Sequence, residues 1–246
     1  MVMNSATTVR ELVIQMPEAT RVFEKFKIDY CCGGNTSLVE ACAKAGVDVR
    51  ELKRELEHAG GAKEIQATDF NEMTLPVLID HIVTKHHLFT REEIVRLDAL
   101  LTKVVSVHGD KHTELYEVST LLKRLDEDLN PHMLKEERVL FPYIVQLDRS
   151  VTGNESAPFA PFGTVKNPVR MMMMEHDAAG DILRELRSVT SDYAIPGDAC
   201  ISYKTLYEAL EGLERDLHQH IHLENNILFP KAVEFEESLL RAIQES

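Results

Sequence analysis

Between residues 74 and 89, apolar residues recur at intervals of three and four: Leu75, Leu78, Ile79, Ile82, Val83 and Phe89, with His86 on the same stripe. This spacing predicts a long helix with one apolar face, from which His81 and His87 fall away. A break near Val107–Asp110 precedes a second long helix carrying His132 and Glu136, which Pro131 is expected to kink. A third helix starts near Asn167-Pro168 and holds Met171–Met174, Glu175 and His176. After a turn over Asp192–Asp198, a fourth runs to His220 and Glu224; Pro230 ends or bends it, and a last helix reaches about Ile243. The stretch 149–168, with Gly153, Pro158, Pro161, Gly163 and Pro168, reads as a long crossing connection.

Residues 8–60 read as shorter helices. Thr8-x-x-Glu11, Ser37-x-x-Glu40 and Asp48-x-x-Glu51 each set a capping residue three positions before a carboxylate, and Pro17 suits a first helical turn. A Gly-rich turn, Asp29-Tyr30-Cys31-Cys32-Gly33-Gly34, carries two adjacent thiols, and Gly60-Gly61 breaks the pattern. The expected organisation is all-α: a small helical module over 1–62, a linker over 63–73, and a four-helix bundle over 74–246.

Composition narrows the role. The 246 residues carry a formal charge of −14, which disfavours nucleic acid or an anionic membrane as partner. No apolar run approaches the roughly 20 residues of a membrane span, and Met1 to Val13 lacks the apolar block of a signal peptide. Four cysteines, two adjacent, make no disulfide framework in so long a chain. The expectation is a soluble, cytoplasmic protein; a homodimer is left open.

The chemistry lies in a repeat. His132-x-x-x-Glu136-x-x-x-Leu140-Phe141-Pro142 recurs 88 residues on as His220-x-x-x-Glu224-x-x-x-Leu228-Phe229-Pro230. Residues four apart share a helical face, so each copy sets an imidazole beside a carboxylate. A further histidine precedes each copy, His86 by 46 residues and His176 by 44. Four helices thus aim His86, His132, Glu136, His176, His220 and Glu224 at one place. Imidazole and carboxylate without thiolate suit iron, manganese or zinc, not copper(I) or an iron–sulfur cluster. Two carboxylates able to bridge favour a di-iron centre over a single zinc, with oxo, hydroxo or exogenous ligands completing the coordination.

These stretches resemble the hemerythrin-like domain of the iron–sulfur cluster repair di-iron (RIC) proteins. The matching residues are Asp80-His81-Ile82-Val83 with His86, His132 through Pro142, Glu175-His176-Asp177-x-Ala179-Gly180, and His220 through Pro230 with Leu223-Glu224-Asn225-Asn226. Asp29 through Gly34 is similar to the small module that precedes that domain. The resemblance covers nearly the whole chain; the 149–168 connection departs from it. It implies two non-haem iron ions in an oxo- or hydroxo-bridged centre, held by His86, His132, Glu136, His176, His220 and Glu224 with both glutamates bridging. It also implies repair of iron–sulfur clusters damaged by oxidative or nitrosative stress.

That reading leaves iron donation and nitric oxide removal both open, with damaged iron–sulfur proteins and small gases (nitric oxide, oxygen) as partners. A gas-binding or sensing module and a nitric oxide reductase are the alternatives, so whether the protein is an enzyme is undecided by sequence. Cys31 and Cys32 are candidate reactive thiols, expected to be exposed at their turn. Cys42 and Cys200 are lone. Met171–Met174 fit core packing better than a channel wall, and Glu175 and His108 are candidates for support behind the ligands.

Overall fold

The computed structural model describes residues 7–61, 69–153 and 155–245; most of the expected linker, residues 63–68, lies outside them. Four short helices come first: α1 (Val9–Gln15), α2 (Ala19–Lys25), α3 (Leu38–Ala45) and α4 (Val49–Gly61). Two of their starts are full capping boxes. The side chains of Thr8 and Ser37 accept from the N–H groups of Glu11 and Glu40, whose carboxylates accept from the N–H groups of Thr8 and Ser37. Asp48 caps by accepting from Arg50 N–H at 2.7 Å. Gly60-Gly61, where a break is expected, are the last two residues of α4, and the residues after them lie outside the described ones. Val9, Leu12, Phe23, Leu38, Leu52 and Leu56 give this region a core of its own.

Four long helices complete the chain: α5 (residues 75–108), α6 (114–151), α7 (Lys166–Val189) and α8 (201–244). Neighbours pack α5 on α6, α6 on α7 and α8 on α5, making a four-helix bundle. Its apolar interior is two clusters rather than one. Leu97, Leu122, Leu186 and Leu210 belong to the first, and Leu78, Ile144, Val169 and Leu228 to the second. Among the described residues there is no strand, only one isolated bridge between Thr8 and Ser37. None of their helices is long and apolar enough to cross a membrane.

Three of the long helices change pitch where the two clusters meet. Wide π turns occupy Ile82–His87 in α5, Glu136–Leu140 in α6 and Leu223–Leu228 in α8. Two of them end two residues before a proline, Pro142 or Pro230. Proline has no N–H to give and its ring collides with the carbonyl four residues back; a wider turn relieves both. Pro131, where a kink is expected, lies inside the α-helix that runs from Glu114 to Lys135.

The small module is bound to the bundle by polar contacts. Asn226 Nδ2 donates to the Tyr30 carbonyl at 3.0 Å, and Arg10 donates to the Asn226 carbonyl at 3.1 Å. His218 Nδ1 meets Glu24 at 2.9 Å, and Lys27 pairs with Asp192. Gly34 permits the approach: a Cβ there would sit 3.1 Å from Asn226 Oδ1.

The connection between α6 and α7 is pinned by one buried carboxylate, Glu236 on α8. It accepts from Tyr143 Oη at 2.6 Å, from Val165 N–H at 2.8 Å and from the Thr164 hydroxyl. Glu236→Ala strands three donors, two of them buried, and is expected to lower stability by about 2–4 kcal/mol in chemical denaturation while metal content stays unchanged.

Candidate metal centre

The layer between the two apolar clusters is polar and buried. His87 enters it from α5, His132 and Glu136 from α6, His176 from α7, and His220 and Glu224 from α8. They form two overlapping groups, His87–Glu136–His220–Glu224 and His132–Glu136–His176–Glu224; within each, one donor atom per residue lies within 4.8 Å of the others. Both carboxylates belong to both groups. Glu224 divides its oxygens between them: Oε1 is 3.0 Å from His220 Nε2, and Oε2 is 3.1 Å from His176 Nε2. Glu136 Oε2 lies 3.4 Å from His132 Nε2 and 3.5 Å from His87 Nε2. The arrangement fits a binuclear metal site with shared carboxylates.

The structure brings together five of the six residues singled out by the sequence pattern. His86 is the exception, and the π turn over Ile82–His87 is the reason. A turn with an extra residue rotates the residues after it by about 100° relative to a continuous α-helix, so His87 takes the inward position. His86 is buried beside the centre instead, with Nδ1 3.1 Å from Asp216 Oδ1 and its ring 5.8 Å from that of His220.

Acceptors outside the layer set the imidazole tautomers. His87 Nδ1 meets Glu137 Oε1 at 2.7 Å, His132 Nδ1 meets Glu175 Oε2 at 2.8 Å, and His176 Nδ1 meets Asn225 Oδ1 at 2.9 Å. A proton held at Nδ1 leaves the Nε2 lone pair facing inward, the state a metal requires. The inward nitrogens meet in pairs: His87 with His220 and His132 with His176, each 3.0 Å apart between Nε2 atoms. Two lone pairs at that distance repel unless a cation or a proton lies between them. Neither oxygen of fully buried Glu136 has a hydrogen-bond partner. Inward lone pairs and an unpartnered carboxylate fit a cation pair.

Without metal, protons supply the positive charge. Burial works against charge on His87 and His132, yet Glu136 and Glu224 prevail and hold His87 up at about 9 and His132 at about 10. Burial pulls His220 down, while Glu224 is held well below the carboxylate range against its burial by His220, His176 and His87. Bonding to His132, then to Lys135, holds Glu175 at about 2.

The remaining candidates fall elsewhere. Glu175, one of the two candidates for such support, stands behind His132, and Glu137 and Asn225 join it in that role without having been singled out. His108 lies away from the layer, 3.2 Å from Cys200 Sγ. Within the methionine run, Met172 packs in the core while Met171 and Met174 face solvent. His222 turns toward the small module, 5.6 Å from the Tyr30 ring, and burial lowers it to about 4. The thiol turn is not the exposed one expected: Cys31 is buried and Cys32 half-buried, with their sulfurs 3.8 Å apart.

The family profile described as "Hemerythrin HHE cation binding domain" matches residues 78–232, and "ScdA_N: Domain of Unknown function (DUF542)" matches residues 5–60. The chain is 35% identical, over 91% of its length and 95% of the relative's, to "Probable iron-sulfur cluster repair protein" of Haemophilus influenzae. It is 36% identical, over 91% of itself and 94% of the relative, to "Iron-sulfur cluster repair protein YtfE" of Salmonella schwarzengrund, with the same figures for that of Escherichia coli O17:K52:H18.

Two outcomes are expected. His87→Ala should lower the metal content of purified protein severely, and His86→Ala should leave it near the wild-type level; elemental analysis decides. Metal must displace the protons that His87 and His132 keep up to about 9 and 10, so uptake near neutral pH should release protons and apparent affinity should rise with pH toward 9, read by pH-stat titration.

Proposed function

The chain belongs to the iron–sulfur cluster repair (RIC) family, and we propose that it holds two iron ions and restores damaged iron–sulfur clusters by donating iron. The observation that carries this reading is the sharing of both buried carboxylates by both histidine pairs. In it, His87, His220, His132 and His176 would hold the metal together with Glu136 and Glu224, the carboxylates common to both groups. Iron held there would supply redox-active metal, and it is also the cargo.

The chain's own residues do the rest. Glu137, Glu175 and Asn225 hold the imidazoles in the metal-binding tautomer. The apolar clusters on either side keep bulk water from the carboxylates, while α5, α6 and α8 reach the layer through π turns. Donor sets of nitrogen and carboxylate oxygen bind ferrous iron less tenaciously than a thiolate cage does, which suits release to an incomplete cluster whose own ligands are sulfur. Damaged iron–sulfur proteins are the partners in this reading, and half-buried Cys32 is the more accessible of the two thiols in the small module.

The test pairs two measurements on one anaerobic mixture of iron-loaded protein and an iron–sulfur enzyme inactivated by nitric oxide or peroxide. Donation returns enzyme activity in step with loss of iron from this protein. Catalytic consumption of nitric oxide with a reductant, while all iron stays bound, would instead establish a nitric oxide reductase. The doubly substituted Cys31→Ser, Cys32→Ser protein is expected to keep its bundle iron and lose repair; undiminished repair would make these thiols structural.

A further inference from the structure

Each imidazole of the metal layer needs its outer nitrogen matched as well as its inner one. Behind His87, His132 and His176 stand Glu137, Glu175 and Asn225, at 2.7, 2.8 and 2.9 Å. The remaining ring, His220, is 1% exposed, and its Nδ1 has no hydrogen-bond partner. A buried N–H left unmatched is costly, and a ring whose outer nitrogen meets no acceptor has nothing to hold its proton there.

A second unmatched atom lies one helical turn away. Asp216 precedes His220 by four residues within the α-helical stretch Ile201–His222 of α8, so both side chains issue from one face. The Asp216 carboxylate uses Oδ1 for His86 Nδ1, at 3.1 Å, while its Oδ2 is shut off from solvent and without a partner. His86, 6% exposed, also stacks on the His220 ring, with centroids 5.8 Å apart and planes 13° from parallel. Its Nε2 is a third buried atom with no partner.

The contact with His86 accounts for one oxygen of Asp216 and leaves the other buried for no return. No direct bond joins that oxygen to His220, since the Nδ1 of His220 has no partner at all. A donor and an acceptor on one helix face, both buried and beyond direct reach, are what a single water molecule joins. Such a water needs two to four polar partners, and this group of three residues carries three unmatched atoms.

We propose that Asp216 is a positioning residue for the metal centre: held in place by His86, it receives the Nδ1 proton of His220 across one enclosed water and keeps the Nε2 lone pair of that ring turned inward. This gives His86 a task, although it belongs to neither donor group. It also completes the outer support of all four rings. The inference rests on the reading of the buried layer as a metal centre and deepens it.

The test uses the full chain loaded with zinc, a diamagnetic probe for the same donors, with its metal counted first. In protein with isotopically labelled histidines, nuclear magnetic resonance reads which nitrogen of each ring carries a proton, and competition with a chelator reads affinity. Wild-type protein should show four rings with metal at Nε2 and an exchange-protected proton at Nδ1. Asp216→Leu should lose that protection on one ring, leave the other three signals in place and weaken zinc by at least about tenfold. Glu175→Ala should remove a different signal, that of His132. Asp216→Asn, which keeps an acceptor in the same place, should return the protected proton and most of the affinity. An Asp216 that only props up the fold would disturb all four rings or none, and either result overturns the proposal, as does a loss that Asp216→Asn fails to restore. Wild-type protein that takes up no metal would refute the metal-centre reading itself. Metal bound equally well by wild type and Asp216→Leu would refute the role of Asp216 and leave that reading standing.

Discussion

Two carboxylates buried side by side are the constraint around which this molecule is arranged. Glu136 and Glu224 are wholly inside the bundle, where a lone ionised group would cost far more than any one helix contact returns. Everything near them answers that charge. Four imidazoles converge on the pair, and acceptors behind three of them fix where their protons lie. The apolar core is divided in two to make room, so the bundle gives up continuous packing to hold a polar layer at its middle.

The π turns belong to the same arrangement. An α-helix repeats at 3.6 residues per turn, and a helix that buries an apolar face above and below a polar layer has little freedom to re-aim one residue between them. A local widening re-aims it without moving the rest. All three such turns begin or end at a residue of the centre or beside one: His87, Glu136, and Leu223 immediately before Glu224. They are devices of position rather than defects of packing.

The same geometry explains which parts could be read from the chain alone. The four long helices, both capping boxes and the paired His-x-x-x-Glu motifs come from local periodicity, which survives because each motif sits just ahead of its π turn or at its first residues. His86 and His87 show the limit. Counting from Leu75 at a constant pitch puts His86 inward, and nothing in the local residue types announces that the pitch changes at Ile82. The thiol turn misled for another reason: a Gly-rich turn reads as exposed, but Asn225 and Asn226, nearly two hundred residues later, receive it. Partners so distant in sequence leave no periodic trace near the turn itself.

The way the small module is received also sets an order on the making of the protein. Its capped helices and its own core are complete within the first sixty-one residues, so it can form as soon as they leave the ribosome. Its berth cannot. Asn225, Asn226 and His218 lie in α8, which is synthesised after the other described helices. Until then the bundle has no fourth wall and neither Glu224 nor His220 is present. Closing the bundle and seating the module therefore await the same helix, and until it is made the thiol turn is unsheltered.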